Sequence, residues 1–253
     1  VKHFFTILNH EIRMLLVSPS TYIAAVVFLS VMGFIFTMMM DIYSAAAQET
    51  TPAVIFFQYF WVPVLVMVPL LTMKSIAEER RLGTLETLLT TPVSTVEVVL
   101  GKYFAAYFLY ISLWASTGGF FYILHRFARD ARFIDLGPLA GGYAFIAISG
   151  LLFVAIGIAA SAISRNQAVA ALFSGAALLA LIVGSNFLPN VELLHNDVMR
   201  PIKTVIDYAQ VFQHLADFSH GVVDTRQVLF YLSGTVLALI FSIFSVEVKL
   251  LHS

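Results

Sequence analysis

The sequence predicts an all-α polytopic membrane protein with six transmembrane helices. An N-terminal interfacial helix precedes the spans, a helical connector separates the second from the third, and a polar segment stands before the last. Three observations carry this. Of 253 residues, 60% are hydrophobic and only 11% charged, whereas soluble domains carry about 25% charged residues. Six apolar stretches, residues 22–40, 54–73, 103–124, 139–163, 168–188 and 228–246, match the roughly 20 helical residues that cross a bilayer core. None of them contains Asp, Glu, Lys or Arg, and none alternates with the period of two expected of barrel strands. With no internal repeat visible, the chain reads as one transmembrane domain, residues 1–253.

Before the first span, residues 2–17 place Phe4, Phe5, Leu8, Ile12, Leu15 and Leu16 at helical spacing, with Lys2, Asn9 and Arg13 between them. Such a helix lies in the membrane interface. Ser18-Pro19-Ser20 then breaks it, giving an interfacial region over residues 1–20. The first apolar run is long enough to span rather than to be cleaved as a signal peptide. The second span opens on Phe56, Phe57, Tyr59, Phe60 and Trp61, followed by Pro63 and Pro69. Those prolines predict kinks, and the aromatics fit either an interfacial belt or a substrate path.

The connector, residues 76–98, concentrates charge in a chain that otherwise avoids it. Leu82, Leu85, Leu88 and Leu89 form an apolar stripe, with Glu78, Arg81 and Glu86 elsewhere on the same helix. Pro92 ends that helix. Ser94 and Glu97 match a capping box, so a second helix should start there and run through Gly101 into the third span.

Further along, Gly157 and Ser161, Ala171 and Gly175, Ala115 and Gly119, and the series Ala176, Ala180, Gly184 follow the small-xxx-small rule for close helix packing. Residues 189–227 are too polar to span. Ile202, Val205, Ile206, Ala209, Phe212 and Leu215 make a helical stripe there, and the segment should cover the outer mouth or dip into it. Asp224 and Gln227 can cap the final span. His214, His220, Asp217 and Asp224 match no metal-ligand spacing and read as solvated polar residues.

An even number of spans puts both chain ends on one side. With that side cytoplasmic, eight Lys and Arg lie inside against six outside. Arg126, Arg129 and Arg132 run against this assignment, but Lys2 and Arg13 flank the first span, whose exit loop has neither residue type. The net charge of −1 offers no footprint for nucleic acid. There is no cysteine, which excludes disulfide and thiol chemistry.

Secondary transporters carry ionisable groups within their spans to bind the coupling ion, and these spans have none. The chain also lacks a phosphate-binding Gly-x-x-x-x-Gly-Lys-Ser/Thr loop, a Gly-x-Ser-x-Gly elbow and a His-Glu-x-x-His zinc motif. These absences predict a subunit that is not an enzyme and needs no cofactor or metal. Energy for uphill movement must then come from another subunit and enter through a cytoplasmic surface. The connector is the best candidate.

Its sequence, AEERRLGTLETLLTTPVSTVEVVLGKY, resembles the signature of type-2 ATP-binding-cassette (ABC) exporter permeases, E-E-x-x-x-G-T-L-E-x-L-L-x-x-P. The nearest subgroup is the permeases associated with bacterial gliding motility. SPSTYI, DLGPLAGGY, AIGIAASAISRNQAVAA and HLADFSHGVVDTRQVLFYL extend the resemblance along nearly the whole chain. It implies a permease of the bacterial inner membrane with both termini cytoplasmic. Such a permease pairs with a second copy or a homologous permease, and with two cytoplasmic ABC ATPase subunits that bind ATP and Mg; lipid surrounds it. The connector becomes the coupling helix, and residues 189–227 become re-entrant helices. Glu78, Glu79, Gly83, Thr84, Leu85, Glu86, Leu89 and Pro92 take the coupling positions. On this reading the leucines bury area against the ATPase, Glu79 and Arg80 set register at the rim, and Gly83 permits a close approach or a bend. The alternative is a membrane anchor or scaffold for gliding-related mechanical or assembly work, with no solute crossing.

Overall fold

The computed structural model describes residues 2–45, 50–83, 94–127, 135–187 and 208–250, and among these it contains helices and no strand. Helix α1, Lys2–Val17, occupies the residues expected of the interfacial helix. Only Ser18 separates it from α2, Pro19–Ala45, because Pro19 has no N–H to donate back to Leu15. The second span is split, contrary to the single stretch 54–73. Helix α3, Pro52–Gln58, stops at Tyr59 and Phe60, and α4 runs over Trp61–Thr72. The break lies four residues before Pro63, whose ring crowds the carbonyl of residue 59 and whose nitrogen cannot bond it.

After the short α5, Ala77–Leu82, the third span is built from α6, Thr95–Ser116, and α7, Gly118–Phe127. At the intervening Thr117 the hydroxyl donates to the Trp114 carbonyl at 2.6 Å and lies 2.9 Å from the Tyr143 hydroxyl. Helix α8, Leu136–Ile163, and α9, Gln167–Leu179, form the fourth and fifth spans. A π-helical turn, Ala180–Gly184, and α10, Ser185–Phe187, extend the fifth. Helix α11, Val211–Ser219, precedes α12, Thr225–Leu250. Among the described residues, six helical segments are long and apolar enough to cross a membrane: Pro19–Ala45, Trp61–Leu82, Thr95–Phe127, Leu136–Ile163, Gln167–Gly184 and Thr225–Val248.

Helix α8 is the axis of the fold. A Cβ at Gly142 would strike the Phe57 ring, one at Gly150 the Tyr110 ring, and one at Gly157 the Thr72 side chain. Gly157 and Ser161 thus form a seam within the chain, while Ala176, Ala180, Ala115 and Gly119 are exposed. Phe56, Phe57 and Phe60 are fully buried, with Phe57 stacked near Trp114 and edge-on to Tyr143. These aromatics are core, which corrects the interfacial-belt reading. Large exposed apolar residues gather instead on α2, α9 and α12, among them Phe34, Leu172 and Phe244.

Both α1 and the last turns of α12 lie at one end of the bundle. Glu11 of α1 reaches the start of α6, and the Ser245 hydroxyl of α12 donates to the Ala162 carbonyl at 3.2 Å. At the opposite end α11 packs on α8, with Gly141 backed against the Phe218 carbonyl. Asp224 caps α12 by accepting from the Arg226 N–H at 2.8 Å. Gln227 does not complete a capping box; its amide turns to Asp217 instead.

His214 of α11 is buried, with Nδ1 3.0 Å from the Tyr231 hydroxyl. Burial pushes its pKa below the usual 6.5, and Asp217 and Asp224, which pull the other way, do not offset it. A depressed folded-state pKa stabilises the fold above about pH 6.5, and that contribution is lost as pH falls through the folded value. The unfolding midpoint in detergent should therefore drop between pH 7.5 and 5.5, and His214→Gln should flatten that dependence.

Candidate coupling site

Helix α5 has six residues, too few to be stable alone, so its stability comes from what surrounds it. At its start, the Ile76 and Ala77 N–H groups both donate to Ser161 Oγ of α8, at 3.0 and 3.1 Å. That hydroxyl donates to the Met73 carbonyl at 3.3 Å. One side chain of α8 thereby accepts from two N–H groups at the helix start, where the backbone leaves several without an intrahelical partner. Glu78 and Glu79 in the first turn and Arg80 and Arg81 in the last suit the helix dipole.

Two further ties reach other elements. The Arg80 guanidinium donates to the Ala162 carbonyl at the end of α8 and, more weakly at 3.5 Å, to the Ser164 carbonyl. Glu79 accepts from Lys102 Nζ of α6 at 2.7 Å, and the same ammonium donates to Glu11 of α1, also at 2.7 Å. Lys102 is only 3% exposed, so this cation sits between two carboxylates and holds α1, α5 and α6 in one cluster. Beside it, α1 and α6 meet closely: a Cβ at Gly101 would come within 2.7 Å of Ile7 Cγ2. The Arg81–Glu78 pair, by contrast, is exposed and 3.9 Å long, and contributes little.

The predicted site residues fall into two groups. Glu78, Glu79 and Gly83 are described, whereas Thr84, Leu85, Glu86, Leu89 and Pro92 lie outside the described residues, as does Leu88. The helix that starts at Ala77 does not continue past Leu82. Gly83 adopts φ 69° and ends α5 at Leu82 in the left-handed conformation, which glycine enters without steric cost. Among the described residues no atom lies within 4 Å of where its Cβ would be, and within this chain the glycine serves a bend. Leu82, the first residue of the leucine stripe, is 62% exposed.

Glu79 and Arg80 also depart from the rim role, since both direct polar atoms into the chain. Ser94 behaves as predicted: its hydroxyl accepts from the Glu97 N–H, and Glu97 accepts from the Ser94 N–H, both at 3.3 Å. Glu11 was missed, and a signal for it exists. It falls three residues after Leu8 and four before Leu15, on the apolar face of α1, where a lone carboxylate requires a partner.

The arrangement is a clasp of one short helix against three longer ones, and its chemistry is structural. A family model described as "ABC-2 family transporter protein" matches residues 5–248. The chain belongs to this family. No curated protein matches it. An ABC-2 permease is the multi-pass membrane subunit of an ABC transporter and works with an ABC ATPase partner. The end of this ABC-2 permease that carries α1, α5 and the last turns of α12 holds the clasp, next to the segment 84–93 that bears most of the family signature.

Proposed function

We propose that this chain is the path-forming permease of an ATP-driven exporter and receives conformational work at α5. Two copies, or this chain and a homologous permease, pair with two cytoplasmic ATPase subunits that bind ATP and Mg. The chain sits in a bacterial inner membrane with both termini on the cytoplasmic side, and catalysis lies on the ATPase. One observation carries the reading: α5 is tied to α1 through Glu11, to α6 through Lys102 and to α8 through Ser161. A displacement of α5 therefore moves three elements together rather than being absorbed by a slack loop. ATPase closure would tilt these elements as a rigid-body switch. The leucines at 85, 88 and 89 supply the apolar contact and Glu86 a flanking charge, while Thr84 follows the Gly83 bend and Pro92 closes the segment.

Gly83→Pro and Leu85→Asp test this. Proline holds φ near −65° and cannot take the 69° found at Gly83, nor keep the 3.3 Å bond from the Gly83 N–H to the Arg80 carbonyl. Leu85→Asp places a charge on the apolar stripe. Both variants should insert normally and lose permease-stimulated ATP hydrolysis; unimpaired stimulation in both would overturn the coupling role. Reconstituted vesicles address transport separately. Stimulated hydrolysis with no cargo movement across a broad panel would favour the gliding-related scaffold over the exporter.

A further inference from the structure

At the end of the bundle opposite the clasp, one side chain joins α11 to α12. His214 is 6% exposed, with Nδ1 3.0 Å from the Tyr231 hydroxyl. Its ring meets those of Phe230 and Tyr231 edge-on, at centroid distances of 5.9 and 5.6 Å. Tyr231 is fully buried, and among the described residues its hydroxyl has no other hydrogen-bond partner. A buried O–H requires an acceptor, so the phenol proton lies on the bond to Nδ1. The ring is then the neutral tautomer in which Nδ1 accepts. A backbone hydrogen bond to Tyr208 engages it as well.

Protonating the ring removes that acceptor. An imidazolium has two N–H donors and no acceptor. Nδ1–H then takes the Tyr231 oxygen, and the phenol proton loses its partner in a site closed to water. The surrounding charges do not rescue it. Asp217 of α11 and Asp224 ahead of α12 attract a proton to the ring, but Asp217 already accepts from the Gln227 amide at 2.6 Å and Asp224 from the Arg226 N–H at 2.8 Å. Arg226 itself is exposed and positive. Helices α3, α8 and α10 and the π-helical turn also pack on α11. None carries a charged residue, and Tyr143 of α8 holds its hydroxyl against Thr117. The cost of a proton therefore falls on the contact between α11 and α12. Helix α11 has nine residues and can open as a unit while the bundle stays folded.

We propose that α11 is a proton-released latch: protonation of His214 breaks its bond to Tyr231 and frees α11 from the end of the bundle on which it packs. The device does not depend on the coupling reading; only the side of the membrane that supplies the proton rests on the orientation proposed above. The test is hydrogen–deuterium exchange of the full chain in dodecyl maltoside from pH 7.5 to 5.5, with each rate divided by the intrinsic rate at that pH. One linked proton changes the opening constant by at most about tenfold per pH unit. Protection over residues 211–219 should fall about three- to tenfold across this range, while the core of α8 keeps its protection. In His214→Asn, Oδ1 takes the place of Nδ1 as acceptor and does not titrate, so the fall should be absent. Tyr231→Phe removes the bond outright and should open α11 about fivefold at pH 7.5, before any proton binds. Constant protection in the wild type, an equal fall in His214→Asn, a parallel loss in the core of α8, or wild-type protection in Tyr231→Phe would each overturn the proposal.

Discussion

Replacing Lys102 with leucine should lower the stability of the protein by about 3–5 kcal/mol, the usual cost of removing one partner from a buried ion pair. Its side chain is 3% exposed, and the ammonium lies 2.7 Å from each of Glu11 and Glu79, whose side chains are themselves only 16% and 26% exposed. Without the cation, two carboxylates face each other in a site that water reaches poorly, and each disfavours ionisation of the other. The loss should appear as a large drop in the thermal midpoint of the detergent-solubilised protein, and α1 should become accessible to protease. The triple variant Lys102→Met, Glu11→Gln, Glu79→Gln separates stability from transmission. Replacing all the charges together is often neutral in energy, so this variant should recover most of the midpoint. It should still lose stimulated ATP hydrolysis, because the ion pairs that tie α1 and α6 to α5 are then gone. A triple variant that regained both would show that the cluster only stabilises the fold.

What the sequence disclosed divides by distance along the chain. Patterns closed within one or two turns were readable. The capping box at Ser94 and Glu97 is an i, i+3 relation, and the range of α1 follows from its 3.6-residue periodicity. The helical class and the number of spans follow from length and composition alone. Relations across the fold were not readable. Glu11 and Lys102 are 91 residues apart, and nothing local to either names the other. Ser161 was marked only as a small residue for close packing; that its hydroxyl would cap α5 depends on how α4 and α8 cross. Phe56, Phe57 and Phe60 have the composition of a belt and the burial of a core, and only the position of α8 decides between them. At Gly83 the regular leucine spacing favoured a continuous helix, although a glycine within it also permits the left-handed turn that forms.

Ser161→Ala should release α5 while leaving the rest of the fold intact. The Ile76 and Ala77 N–H groups have their acceptor in Ser161 Oγ, and both residues are buried, so water does not readily replace it. Each donor left without a partner costs about 1–3 kcal/mol. A six-residue helix escapes that cost by opening locally, so the penalty should surface as sub-global unfolding rather than as a lower global midpoint. Hydrogen–deuterium exchange over residues 76–83 should rise by about tenfold or more for every 1.4 kcal/mol lost, with exchange in the core of α8 unchanged. Ser164→Ala is the control. Its hydroxyl donates to the Ala160 carbonyl within the same turn at 2.8 Å, and no N–H of α5 depends on it, so exchange over 76–83 should stay at the wild-type level. Coupling then gives the decisive reading. A loosened α5 can still meet the ATPase through residues 84–93, but it cannot pass the displacement to α8. Ser161→Ala should therefore retain ATPase association and lose stimulated hydrolysis. Wild-type stimulation alongside raised exchange would place the transmission path elsewhere.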